Sequence, residues 1–536
     1  MRTLHLSTLL ATLLLPGLAS ANPDEATPDP EVPSTGPVEA GTESTSEPAP
    51  EDGESVHPGY HSRVLGNGLK VTVLADEAMP VVATQVWIQV GSAHEGEGET
   101  GFAHLFEHMM FGETSSHPKE AYSRHHTSHG GYENAYTSFD NTVYISQIPP
   151  AGHDEVLQFE ADRLVNLVLS QENLDNEKKI VTEELRLRGE NEPVSRLIGP
   201  ALSALFGEHP YAHDPGGTKE DVYAATLELS TSFYQAYYRP GNAHLVVVGA
   251  VDGPATLERV EELFGGLPSD RTVPPQVPRL STWEFPERLD LSEDIPPVKV
   301  AALVFATPAQ EDPDYWAMKL VMETLSGGEV DLFSEELVKH RKKALEAMSF
   351  SFDLQAGGLT MFASVSLPFR RQARAFELLH ETIATLGDGA WITEETLEVA
   401  RRRLLVAELE RSYYSDAMAG VLGQAYAWQG DDTLALGGAA LAIEQVTLER
   451  AREIWRREVV DARPVEVFVH KGKALEPEEE PEPKPTPEET DAPADSDGEQ
   501  SSAGPVASDE EPVEEEAPVA EESGVEEVSV EEGAAA

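Results

Sequence analysis

From about residue 60 to residue 475, runs with a strand-like alternation of apolar and polar positions take turns with longer runs whose apolar residues recur at helical spacing. Leu69–Leu74 and Val81–Val90 read as strands, and Thr142–Ile148 as another. Gly101–Phe111 is too rich in helix-compatible apolar residues for a strand, and Thr100 stands where a cap would. Helices are expected at Asp154–Leu169, Asn173–Arg188 and Leu229–Tyr238, the last stopped by Arg239-Pro240. A buried strand at Leu245–Val251 and a helix at Leu257–Phe264 close this half, and a Pro- and Gly-rich stretch runs from Gly265 to Ser281. The order then roughly repeats. Val298–Phe305, Met348–Phe352, Thr360–Leu367 and Val465–Val469 are strand-like, while Asp314–Leu325, Leu332–Lys343, Arg371–Leu386 and Thr393–Tyr413 are helical. The fold class is α+β, two similar domains of about 200 residues, each a mostly antiparallel sheet packed with helices.

The ends are different in kind. Asn22–Pro58 and Glu476–Ala536 contain no aromatic residue, and the second holds 23 acidic residues against one lysine. Such segments bury too little apolar surface to offset ordering entropy, so both are expected to be disordered. They carry much of the net charge of -58, which disfavours nucleic acid and anionic membrane as partners. With no cysteine, disulfides, thiolate zinc sites and a cysteine nucleophile are excluded. Arg2, the apolar run Leu4–Leu15 and Ala19-Ser20-Ala21 have the form of an export signal, too short to span a bilayer. The expected organisation is a signal at 1–21, an acidic Pro-rich linker at 22–58, a catalytic domain at 59–267, a linker at 268–284, a second domain at 285–473 and an acidic tail at 474–536. Localisation would be periplasmic or secreted.

The informative segment for chemistry is His104-Leu105-Phe106-Glu107-His108. On a helix, His104 and His108 share a face and offer two imidazole nitrogens to one metal. Glu107 stands beside that pair, where its carboxylate can take a proton from a water. Downstream, Glu177 and Glu184 are two helical turns apart on one face, so Glu184 can complete the site with Glu177 one layer out. Glu183 is the alternative third ligand. His125, His126 and His129 read as a polar loop rather than a second metal site, because no carboxylate stands at ligand spacing.

The order His-x-x-Glu-His is the inverzincin signature, and the chain resembles the pitrilysin, insulysin and mitochondrial processing peptidase family. Gly130–Thr137, Asp140 and Thr142-Val143-Tyr144 resemble its substrate-binding edge strand, and His209-Pro210-Tyr211, Gly217-Thr218 and Tyr237–Ala243 also fit. The resemblance covers roughly Arg63 to Leu267. It implies one Zn2+ per chain on His104, His108 and Glu184, with Glu107 as general base and Glu177 in support. It implies that Asn134, Ala135 and Tyr136 hold an extended peptide. In the second half it places Arg341 at a substrate-binding position and Met348 where an oxyanion-donating Tyr is expected. Methionine cannot donate there, and one such donor is worth about 2.7–4 kcal/mol.

The resulting expectation is an exported zinc metallopeptidase acting on peptides or unfolded segments. The alternative is a non-catalytic assembly or peptide-binding subunit of the same fold. Family chambers take two such pairs of domains, so a dimer is expected. The missing Tyr favours a heterodimer with a zinc-less relative, with a homodimer as the alternative.

Overall fold

A computed structural model describes residues 57–191, 197–268, 275–293, 298–328, 331–369 and 371–472. The segments expected to be an export signal, an acidic linker and an acidic tail lie outside the described residues, apart from His57 and Pro58.

The first sheet contains β1 (Tyr60–Val64), β2 (Lys70–Ala75), β3 (Val82–Ile88), β4 (Tyr132–Thr137), β5 (Thr142–Ile148) and β6 (Ala243–Gly249), ordered β1-β2-β6-β3-β5-β4. Helices α1 (Phe102–Met109) and α2 (Ala121–His129) join β3 to β4. Between β5 and β6 run α3 (His153–Asn166), α4 (Gln171–Asn191), α5 (Ile198–Phe206), α6 (Lys219–Ala224) and α7 (Leu227–Tyr237), and α8 (Gly253–Phe264) follows β6.

The second sheet contains β7 (Arg288–Glu293), β8 (Lys299–Thr307), β9 (Glu346–Leu354), β10 (Gly357–Ser366) and β11 (Val465–Lys471), ordered β7-β11-β8-β10-β9. Between β8 and β9 lie α9 (Tyr315–Ser326) and the turn Leu332–Ser334, which continues as a π-helix over Glu335–His340. Between β10 and β11 lie α10 (Gln372–Thr385), α11 (Glu394–Arg411), α12 (Ser415–Gln429), α13 (Gly438–Gln445) and α14 (Leu448–Trp455).

The two sheets share one topology. Strands β2 to β6 of the first match β7 to β11 of the second in sequence order and in sheet order. Each sheet has one parallel pair, β2–β6 or β7–β11, and is otherwise antiparallel. Every residue of β3, β6 and β10 is buried, which requires cover on both faces of each sheet. One face is covered by helices of the same half: Val71, Val73, Val86, Ile88, Tyr144, Leu245 and Val247 pack with Phe102, Leu105, Phe106 and Phe233. The other face is covered by exchange. In the first sheet, Ala83, Trp87, Val143, Val246 and Val248 pack against Met418, Ala419 and Leu422 of α12. In the second, Val300, Ala302, Val304, Met361, Ala363 and Val365 pack with Ile198, Leu202, Leu205 and Phe206 of α5.

Polar ties reinforce the exchange. Asp140 accepts from the Tyr211 hydroxyl at 2.6 Å and from the Gln355 amide at 3.0 Å, and the Ala356 amide donates to the Tyr211 oxygen at 3.1 Å. Asp432 accepts from Tyr60 at 2.9 Å, from Lys70 at 3.1 Å and from Thr72. The Asp140 and Tyr211 positions of the edge-strand and His-Pro-Tyr motifs therefore lie in the seam between the halves.

Candidate metal centre

Helix α1 buries Phe102, Ala103, Leu105, Phe106 and Met109, which leaves the opposite stripe, His104 and His108, half-buried and facing α4. The two rings meet edge to face with centroids 4.9 Å apart. Glu184 of α4 reaches across, its carboxylate 3.7 Å from His104 Nε2 and 3.3 Å from His108 Nε2. One ligand atom from each of the three lies within 4.8 Å of the others, and this is the one such group among the described residues.

The electrostatics suit a cation. Burial holds the His104 imidazole down to about 4, in the neutral form that ligates metals. Burial also opposes charge on His108, but the bond to Glu184 and its charge outweigh it, so His108 is raised and Glu184 lowered. A carboxylate and two imidazole nitrogens thus converge where positive charge is stabilised, a nitrogen and oxygen donor set that fits Zn2+. Among the described residues His104 Nδ1 is buried with no hydrogen-bond partner, so its ring is held by packing and by its Nε2 side.

Glu107 lies beside the group without belonging to it. Its Oε2 accepts from Thr137 Oγ1 of β4 at 2.6 Å, and burial raises its proton affinity. Glu177 is buried on α4, its Oε1 held by Lys119 Nζ at 3.0 Å, close enough to act on the charge of His108. Glu183 points away, exposed and bonded to Arg186 at 2.7 Å.

Strand β4 is the sheet's edge, paired on one side with β5. Its residues alternate. Ala135 joins the core that includes α1, and Thr137 turns to Glu107. Asn134 is exposed and donates to the Tyr132 hydroxyl at 2.8 Å, and Tyr136 meets the Trp87 ring edge to face. Arg341 is not brought to this cluster. Its guanidinium is bonded to Glu336 at 2.9 Å, Glu381 at 3.1 Å and Thr385 at 2.7 Å, all in the second half. Met348 sits on β9 opposite Ala363 and packs against the core between the halves.

Two expectations change. His125, His126 and His129 lie on helix α2, not a loop, and His126 is buried with its Nε2 2.6 Å from Ser146 Oγ. They form no ligand group among the described residues. Thr100 does not cap α1: its hydroxyl donates to Asp221 at 2.6 Å, and Gly101 takes the cap position in a left-handed conformation with φ 91°. The capping acceptor is Glu95, whose carboxylate takes the amides of Gly101 and Ala103, both at 2.8 Å. His213 Nε2 lies 2.9 Å from the same carboxylate. Glu95 and His213 escape a reading of the sequence because 118 residues separate them and neither belongs to a local repeat.

The insulinase domain of peptidase family M16 matches residues 70–213, and the peptidase M16 inactive domain matches residues 224–404. The chain belongs to peptidase family M16. A zinc protease of Helicobacter pylori, PqqE, is 27% identical over 367 residues, 67% of this chain and 82% of the relative. An uncharacterized zinc protease of Mycobacterium leprae is 30% identical over 346 residues, 63% of this chain and 76% of the relative. Among solved structures, a protease from Helicobacter pylori aligns with a TM-score of 0.69 at 25% identity, over 77% of this chain and 100% of that one. The periplasmic protease PqqL of Escherichia coli shares the fold, with a TM-score of 0.63 at 19% identity, over 78% of this chain and 49% of the PqqL chain. The M16 inactive-domain match extends through most of the second half, where α9 holds the place of α1 without a histidine.

Proposed function

We propose that this M16 chain is a zinc metalloendopeptidase in which His104, His108 and Glu184 hold the ion. The observation that carries this reading is the placement of Glu107, fixed by Thr137 beside the three ligand residues but outside them. Zinc in such a donor set supplies Lewis acidity and lowers the pKa of a water to about 7. Glu107 takes the proton of the attacking water on its carboxylate while Thr137 keeps Oε2 in place, and it then gives that proton to the leaving amine. Burial raises the proton affinity of Glu107, which suits a group that must hold a proton between two steps.

Edge strand β4 offers its free side to an extended peptide, which is bound through main-chain hydrogen bonds around Asn134–Tyr136. Glu177 supports the site from its salt bridge to Lys119. The N-terminal pattern supports export, and the fold shared with a periplasmic protease is consistent with it. The chain spans 49% of PqqL, which supports a chamber completed by a second chain. A heterodimer with a zinc-less relative that supplies the oxyanion donor is favoured over a homodimer, because Met348 cannot donate.

The test is zinc content of the purified chain, hydrolysis of quenched peptides with and without chelator, and mass in solution. Stoichiometric zinc and chelator-sensitive cleavage are expected, the latter strongest when a zinc-less relative is added. A zinc-free chain that binds peptide without cleaving it would make this an assembly or peptide-binding subunit.

A further inference from the structure

The first turn of α1 is gripped from outside its own sequence neighbourhood. The Glu95 side chain is 0% exposed, and a buried carboxylate needs compensation. It finds three donors: the amides of Gly101 and Ala103, each at 2.8 Å, and the His213 ring at 2.9 Å. Ala103 immediately precedes His104.

His213 opens a short loop that touches both ligand-bearing helices. Gly217 packs backbone to backbone against Gly101, so close that a Cβ on either would overlap the other chain segment. The Thr218 amide donates to Thr100 Oγ1 at 3.3 Å. On the other side, Asp214 lies 3.9 Å from Arg188, one helical turn beyond Glu184 on α4. Segment 213–218 therefore bridges the start of α1, which carries His104 and His108, and the α4 turn that follows Glu184.

We infer that His213 and Glu95 are positioning residues that fix α1 against α4 and so preset the distances among His104, His108 and Glu184. This inference rests on the metal-centre reading above. Neither residue belongs to the group of His104, His108 and Glu184. His213 donates to Glu95, and Glu95 holds the two amides that set the height and direction of the first turn. Outer partners of this kind typically carry about 10–100-fold in metal affinity.

The experiment measures zinc affinity of the full chain by competition with a chromophoric chelator, with thermal unfolding of each zinc-free protein alongside. Glu95→Gln and His213→Ala are expected to weaken zinc binding about 10–100-fold. His213→Gln, whose side-chain amide can still donate to Glu95, is expected to restore most of the loss. A purely structural role would lower the unfolding temperature of the zinc-free protein without moving zinc affinity measured well below it, and that result would overturn the inference. Equal loss in His213→Ala and His213→Gln would overturn it too. His104→Ala separates the two levels. If it loses zinc while Glu95→Gln and His213→Ala bind like the parent, the positioning role fails and the metal centre stands. If His104→Ala binds like the parent, both fall.

Discussion

The two halves have the same strand order, the same pattern of parallel and antiparallel pairs, and equivalent helices between equivalent strands. They differ in what those helices present. In the first half, α1 places His104 and His108 against Glu184 of α4, and the edge strand β4 anchors Glu107 through Thr137. In the second, α9 has Lys319 and Glu323 as its charged residues, and its Tyr315, Ala317, Met318, Leu320, Val321, Met322 and Leu325 are buried. Both helices bury more than half of their residues, but the stripe that α9 leaves uncovered has no histidine, and no ligand group forms there among the described residues. The scaffold thus tolerates either outcome: chemistry depends on leaving one stripe of a single helix polar and facing a carboxylate from another.

The sharpest way to break this contrast is to remove the proposed third ligand. Glu184→Gln is expected to abolish stoichiometric zinc binding by mass spectrometry, whereas Glu183→Gln, altering an exposed residue paired with Arg186, leaves it intact. The reverse outcome would show that the wrong α4 carboxylate has been assigned. Next in size, Glu107→Gln should retain zinc and lose peptide hydrolysis by about a hundredfold to ten-thousandfold, the usual weight of a general base. Activity within about tenfold of the parent would remove Glu107 from that role.

Acid should separate the halves. Burial lowers His94 and His153 to about 4 and His244 to about 3, and all three belong to the first half. Each is neutral when folded and binds a proton more readily when unfolded. The stability they confer is complete above about pH 6.5 and is lost as pH falls toward 4, with a ceiling of about 1.4 kcal/mol per imidazole per pH unit. His340, His380 and His470 of the second half are at least partly exposed and paired with Glu336, Glu466 and Asp290. Hydrogen exchange at pH 4.5 against pH 7.5 should therefore show faster opening in the first sheet than in the second. Equal protection loss in both would contradict it.

The exchanged helices give the smallest and most local comparison. Gly423 of α12 lies on Trp87, and a Cβ there would enter the indole, so Gly423→Ala should cost about 1–3 kcal/mol in denaturant unfolding. Gly199 of α5 has nothing near its missing Cβ among the described residues, so Gly199→Ala should be neutral or stabilising by about 0.5 kcal/mol.

Much of this was legible because it is local. Two histidines four residues apart declare a shared helix face, and strands such as Thr142–Ile148 follow from their own composition. That Glu184 would approach the two histidines was legible from the seven-residue spacing of Glu177 and Glu184 and from resemblance. What was missed depends on distant partners. Helix α12 has apolar residues interrupted by Gly420 and Gly423, so its face is defined by the β3 and β6 surface it fills rather than by a clean stripe of its own. Strands β1 and β7 lie at sheet edges, where half-exposed residues weaken the pattern. The Glu95 cap displaced the expected Thr100 cap because the buried carboxylate can bridge two amides, while Thr100 is drawn to Asp221.

The reciprocal exchange of α5 and α12 makes the molecule a clasp. Each half lends the other a helix taken from the same place in its own order. A nick in the connection between the sheets should not release either piece, because each would still have a helix packed on its neighbour's sheet. Either piece made alone would expose a whole sheet face and should be recovered only when the two are produced together. The same geometry is what two copies of one such half would form by trading that helix.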